Sequence, residues 1–210
     1  LYVQFKKLEL KKSAWVQIKK TCDDLNIDFL ASAFDNDSVD LLCSMGVKAI
    51  KIASGDITHE PLLRYIGSRG LPVILSTGMA TKEEISKAIN WLGMIPITLL
   101  KCTVDYPCSE DNVNLAGMNE LRLFSKNVGL SDHTKSVSSA IMAVALGVSV
   151  IEKHFDLGIN EECIDAYKLK IFVEMIRNAE KIMGSSELKT FPTEEKWKSI
   201  ARRGESGLRE

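Results

Sequence analysis

Short β-branched runs alternate with helical patterns along the whole 210-residue chain. The runs fall at residues 2–5, 28–34, 49–54, 72–77, 97–103, 127–131 and 148–155. Several are near-continuous apolar stretches, the pattern of parallel strands covered on the outside. Between them, apolar residues recur at spacings of three and four. Trp15, Ile18, Cys22 and Leu25 form one such set, and Val39, Leu42, Cys43 and Met45 a looser one. Ile85, Ala88, Ile89 and Leu92 form a third, behind a capping box that starts at Thr81 and ends at Glu84. Gly46, Gly70 and Gly147 stand where these helices should end.

Seven strand-then-helix units without an antiparallel signal predict a (β/α)8 TIM barrel that lacks its first strand. An open doubly wound sheet is the alternative. Polar residues decide between them. They cluster at the carboxyl end of nearly every run: Ser32, Ser54 to Asp56, Ser76 to Gly78, Thr103, Ser131 to His133, and Lys153 with His154. A barrel brings all these ends to one mouth, whereas an open sheet gathers such residues at its switch point. A full barrel takes roughly 250 residues, and a missing strand accounts for part of the shortfall.

Composition narrows the partners. Lys plus Arg number 27 against 28 Asp plus Glu, so no basic excess points to nucleic acid or an anionic membrane. No apolar run reaches the ~18 residues of a membrane helix. The opening LYVQFKKLELKK is no signal peptide and reads as the interior of a domain. Five cysteines without a CxxC pair argue against a disulfide framework or structural zinc, and for a reducing, cytoplasmic setting.

His133 and His154 each end a run, and the two runs are consecutive. Neighbouring strand ends would let both imidazoles reach one metal. Asp132 or Glu152 could orient an imidazole. Strand alternation puts Glu152 on the His154 face and Asp132 on the other, so only one serves easily. Ser32, Ser54, Ser76 and Ser131 supply hydroxyls at four strand ends, and Lys51 points from the run that Ser54 closes. Hydroxyls, a lysine and glycine amides suit a phosphate or a carboxylate. The remaining features read as packing or surface. His59 is an exposed helix start, and Cys102 and the three tryptophans are packing. The Met and Val residues of a helix at 136–147 are core.

Six segments, KIASGD, ILSTGMAT, LLKCTVDYP, VNLAGM, GLSDHT and ALGVSVIEKHF, closely resemble the sialic acid synthase (N-acetylneuraminate synthase) family in order and spacing. The resemblance spans residues 1–203. It implies a transferase that condenses phosphoenolpyruvate with an N-acylmannosamine-type sugar, forms a nonulosonic acid and releases phosphate. It implies a divalent metal, Mn2+ or Mg2+, held by His133 and His154. Lys51, Ser54, Ser76 and Ser131, with Ser32 in place of the family's threonine, become phosphoenolpyruvate contacts. Asp56 falls at an acidic residue near the reacting carbons, and Tyr106 at a tyrosine close to the sugar. A homodimer is implied, with the barrel over residues 1–195 and residues 196–210 starting a linker to an antifreeze-like domain.

The chain also departs from the family's pattern. The family's opening strand, with its Asn-His pair, has no counterpart. Gln4 stands at a basic position, with Lys6 two places on. Lys101 replaces a histidine and Val104 a polar residue. Asp165 matches an aspartate of a Gly-Pro-Asp-His loop, and Ala166 replaces its histidine. Two other functions stay open on these grounds: a Schiff-base aldolase using Lys101, and a non-catalytic sugar-phosphate-binding barrel.

Overall fold

A computed structural model describes Lys6, residues 8–160, residues 163–205 and Gly207. Its centre is a parallel sheet of five strands in sequence order: β1 (Ile50–Ile52), β2 (Val73–Ser76), β3 (Ile97–Cys102), β4 (Asn127–Asp132) and β5 (Val150–Lys153). The sheet curls as a half-barrel. The eight larger helices are α1 (Lys12–Asp24), α2 (Asn36–Ser44), α3 (Glu60–Ser68), α4 (Lys82–Leu92), α5 (Met118–Leu121), α6 (Ser138–Ala145), α7 (Ala166–Met183) and α8 (Glu195–Ala201).

Five strands, not seven, form among the described residues. Residues 28–34 run beside β1 but contribute one parallel bridge, between Ser32 and Lys51. Phe29 and Ala33 of this stretch are buried in the main core while Leu30 and Phe34 are exposed, so it packs against the sheet on one face without extending the ladder. The expected strand at residues 2–5 lies outside the described residues. Past β5, a single parallel bridge joins Phe155 to Ile164. The parallel, sequentially ordered half-barrel stands; a closed eight-stranded barrel is not what these residues form.

Alternation along the strands splits the sheet into two unlike faces. Ile50, Ile52, Val73, Leu75, Ile97, Leu99 and Val128 point outward and are buried in the main core. Leu62, Leu63, Ile66, Ile85, Ala88 and Leu92 of α3 and α4 cover them. Each fully buried Leu or Ile contributes about 1.5–3 kcal/mol, so this layer fixes the strand ends opposite. The capping box of α4 forms as its sequence predicts: Glu84 N–H donates to Thr81 Oγ1 (3.2 Å) and Thr81 N–H to Glu84 Oε2 (2.8 Å). Gly46, Gly70 and Gly147 end helices with φ of 68°, 71° and 75°. Helix α6 corrects the expected packing. Ser139, Ala140 and Ala143 are buried, while Met142 is exposed. Small residues let α6 lie close to the sheet. Trp15 and Trp91 pack on the core, but Trp197 is exposed. No helix among the described residues is long and apolar enough to cross a membrane.

Gly129 sits between Leu100 and Val150 in the register of β3, β4 and β5. A Cβ there would stand 2.5 Å from both Leu100 Cδ2 and the Val150 carbonyl oxygen. The carbonyl belongs to backbone and cannot swing away. Gly129→Ala is therefore expected to cost about 1–3 kcal/mol, lowering Tm by roughly 2–12 °C in a chain of this size. An unchanged Tm would show that the strands spread freely.

Candidate functional site

The inner face of the sheet and the loops at its carboxyl end line a cleft of about 630 Å3. Ser32, Lys51, Ser54, Ser76, Tyr106, Ser131, His133 and His154 all line it, as the sequence suggests. So do Cys102, Glu152 and Lys153.

Each side chain has a local cause for its position. Lys51 is the middle residue of β1, between Ile50 and Ile52, which bury outward; its side chain therefore points inward. Its Nζ donates to Ser76 Oγ and to the Ile52 carbonyl, both at 2.8 Å. Glu152 Oε2 lies 3.6 Å away. Burial pushes the Lys51 pKa below its ordinary value, and Glu152 partly offsets that. Ser54 opens a single 3-10 turn after β1 and accepts from Gly78 N–H at 3.0 Å. This approach needs glycine, because a Cβ at 78 would stand 2.5 Å from Val104 Cγ2 and 2.9 Å from Ser54 Oγ. Ser131 on β4 donates to Glu152 Oε1 at 2.6 Å across the β4–β5 pair.

His133 follows β4 and is buried; His154 follows β5 and is exposed. Their ring centres stand 5.1 Å apart. The Tyr106 ring lies 4.2 Å from that of His133 and 5.5 Å from that of His154. His133 Nδ1 is 2.7 Å from the Thr103 carbonyl oxygen. A carbonyl only accepts, so Nδ1 carries the proton and a neutral ring keeps its lone pair on Nε2. An imidazole centre stands ~3.2 Å from a metal bound at ~2.1 Å, which puts two rings on one ion ~4.5–5.2 Å apart at angles near 90–110°. The observed separation falls in that range. Two imidazoles alone leave most of an ion's coordination to other ligands. Among the described residues no group of three His, Cys, Asp or Glu side chains is placed to hold a metal.

Cys102 is not simple packing. Its sulfur lies 3.6 Å from Ser54 Oγ, inside the cleft. Burial opposes its thiolate, but the His133, Ser54 and Ser131 groups around it outweigh burial and lower the thiol pKa. Burial likewise opposes the charged His133 ring, and the bonds to Cys102 and the Thr103 carbonyl outweigh it and raise that pKa. Burial raises the Tyr106 pKa. Cys22, Cys43, Cys102 and Cys108 are in no disulfide.

Two residues depart from expectation. Asp56 does not line the cleft. It ends the 3-10 turn, with Oδ1 3.8 Å from Nδ1 of exposed His59. Glu152 is instead the carboxylate inside. Lys101 also lies outside the cleft. Its Nζ is 3.4 Å from both the Cys102 carbonyl and Thr103 Oγ1, and its stem runs beside Gly117. Alternation on β3 sends Cys102 inward and Lys101 outward, so an imine formed on Lys101 would not face the serines or the histidines.

The sequence model of the NeuB family matches residues 1–188. An N,N'-diacetyllegionaminic acid synthase of Campylobacter jejuni is 40% identical over 209 residues, covering 94% of this chain and 63% of that protein. An N-acetylneuraminate-9-phosphate synthase of Drosophila melanogaster is 33% identical, over 81% of this chain and 49% of its own length. Three of the similar curated relatives are spanned over only 60%, 63% and 61% of their lengths. The crystal structure of an N-acetylneuraminic acid synthetase of Leptospira borgpetersenii, in complex with citrate, aligns with a TM-score of 0.85 at 32% identity. That match covers 95% of this chain and 74% of the other. A truncated 3-deoxy-D-arabino-heptulosonate 7-phosphate synthase of Thermotoga maritima shares the fold, with a TM-score of 0.66 at 16% identity.

Proposed function

Because the chain belongs to the NeuB family, we propose that it condenses phosphoenolpyruvate with an N-acylated hexosamine, forming a nonulosonic acid and releasing phosphate. The observation that carries this reading is one cleft that joins an anion site to an imidazole pair. Lys51, Ser54, Ser76 and Ser131 line it together with His133, His154 and Tyr106. Similar relatives are named as synthases of legionaminic and pseudaminic acids and of N-acetylneuraminate 9-phosphate, which differ in the sugar.

In this reading Lys51 and the serine hydroxyls bind the phosphate and carboxylate groups of phosphoenolpyruvate. They hold its methylene carbon against the acceptor aldehyde, and such orientation alone carries several kcal/mol of the barrier. A divalent ion on His133 and His154 would polarise the aldehyde oxygen as a Lewis acid. Two nitrogen donors favour Mn2+ over Mg2+, which prefers oxygen ligands. Carbon–carbon bond formation leaves positive charge on the phosphate-bearing carbon. Water adds there, and phosphate departs as the C–O bond breaks. A carboxylate stabilises that charge and takes the proton of the water. Glu152, inside the cleft, is the carboxylate this reading favours, and Asp56, outside it beside His59, is the second candidate.

The test is phosphate release from phosphoenolpyruvate with Mn2+ and a panel of N-acyl hexosamines, with and without a 6-phosphate. Release is expected to require both a hexosamine and the metal. His133→Ala is expected to cut it by ~100-fold or more, the scale of a lost Lewis acid or electrostatic contact. Phosphoenolpyruvate binding without release in any combination would mark a non-catalytic binding barrel instead. Release that survives chelation would remove the metal.

A further inference from the structure

Toward its carboxyl end the outer face of the sheet turns from aliphatic to polar, with Lys101 on β3 and an ion pair beyond it. There Asp132 and Lys153, the last residues of β4 and β5, stand opposite each other in register. Lys153 Nζ donates to Asp132 Oδ2 at 2.9 Å, with the side chains 6% and 0% exposed. Such burial costs each charge several kcal/mol of hydration, and an apolar pair of the same size often does as well for stability. The placement therefore calls for another reason.

The next residue along each strand is one of the two histidines. Asp132 Oδ1 also accepts from Thr134 N–H at 3.0 Å, which turns the chain immediately after His133. Lys153 Nζ donates to the Thr134 carbonyl as well. The backbone on both sides of His133 is thus tied to the residue that precedes His154. The Lys153 ammonium lies 5.7 Å from the Phe172 ring centre, so α7 backs the same point. On the cleft side, the Thr103 carbonyl fixes His133 Nδ1.

We propose that the buried Asp132–Lys153 pair is a positioning device that sets the separation and angle of the His133 and His154 imidazoles for a divalent cation. It rests on the metal reading above and deepens it. Its charged groups bond to each other and to the backbone beside His133, so it acts through the two strand ends. Without it, β4 and β5 would still pair through their ladder, but the two imidazoles would leave the sheet independently.

The experiment is Mn2+ titration of the whole chain, read by loss of the free-ion EPR signal, beside thermal melts. Asp132→Leu/Lys153→Met replaces the ion pair by an apolar one. It is expected to melt near wild type yet bind Mn2+ about tenfold to hundredfold more weakly, the range for residues that orient metal ligands. Asp132→Asn, nearly isosteric, keeps the Thr134 turn and loses the charge. It is expected to weaken Mn2+ binding even if the apolar pair does not fold. Lys153→Arg restores a cation opposite Asp132 and should bind Mn2+ more tightly than the apolar pair. His133→Ala sets the level for a lost site. Wild-type binding no tighter than that of His133→Ala would end the metal reading, and this inference with it. Tight wild-type binding that a folded apolar pair or Asp132→Asn reproduces would end only the positioning role.

Discussion

Lys51→Met is expected to weaken phosphoenolpyruvate binding by about tenfold to a hundredfold, the effect of losing a charged hydrogen bond worth ~1.5–3 kcal/mol. Two lysines line the cleft among the described residues, and Lys153 is already paired with Asp132. Lys51 is the one whose ammonium faces serine hydroxyls, 2.8 Å from Ser76 Oγ. Its anionic neighbour, Glu152, is 3.6 Å away and leaves it available to a stronger anion. Methionine keeps the length of the stem and removes a buried charge, so the variant is expected to fold. Calorimetric titration with phosphoenolpyruvate, beside a Mn2+ titration, separates the effects: the first affinity falls and the second stays. Because burial depresses the Lys51 pKa, wild-type affinity is also expected to fall on raising pH earlier than an exposed lysine would allow. An unchanged phosphoenolpyruvate affinity would take Lys51 out of the anion site.

Why Lys51 was legible in the sequence, and Cys102 was not, follows from how the strands are covered. In β1 a single lysine interrupts two isoleucines, so one residue gives the phase of the alternation. In β3 the run ITLLKC is buried on both faces in part, with Leu99 and Leu100 both fully enclosed. Apolar residues on adjacent positions carry no phase, and Lys101 and Cys102 could each have been the inward one. The packing of α3 and α4 on the outer face settles it, and that is tertiary information. The same limit explains Asp56. Its place two residues after Ser54 was clear, but the 3-10 turn that aims it toward His59 was not. The histidine pair was readable because strand order matches sequence order, which makes consecutive strand ends spatial neighbours. The strand at residues 28–34 was over-read for the opposite reason. Its apolar residues match a strand, but Leu30 and Phe34 have no layer to bury against among the described residues.

Glu152→Gln is expected to lower kcat for phosphate release by about a hundredfold to ten-thousandfold, the contribution of a positioned acid or base. It is expected at the same time to tighten phosphoenolpyruvate binding. The two effects have separate causes. Glu152 is the carboxylate that the cleft contains, held by Ser131 Oγ at 2.6 Å and facing Lys51. While substrate is bound, its negative charge opposes another anion in the same cleft. Like charges ~8–10 Å apart at an effective dielectric near 20 repel by about 2 kcal/mol, so neutralising the side chain should tighten binding by roughly twentyfold to thirtyfold. The amide keeps an acceptor for Ser131, so the β4–β5 contact survives and the loss is chemical rather than structural. In the proposed reaction positive charge would develop on the phosphate-bearing carbon and water would have to lose a proton there, which gives a carboxylate a role that outweighs that cost in affinity. Asp56→Asn is the comparison. Its carboxylate lies outside the cleft beside His59, so it is expected to lower kcat less and to leave phosphoenolpyruvate affinity nearly as it was. Steady-state kinetics of both variants, with binding measured separately, decide between the two carboxylates. A larger kcat loss for Asp56→Asn than for Glu152→Gln would return the catalytic role to the edge of the cleft, and would mean that the 3-10 turn after β1 swings inward when substrate binds.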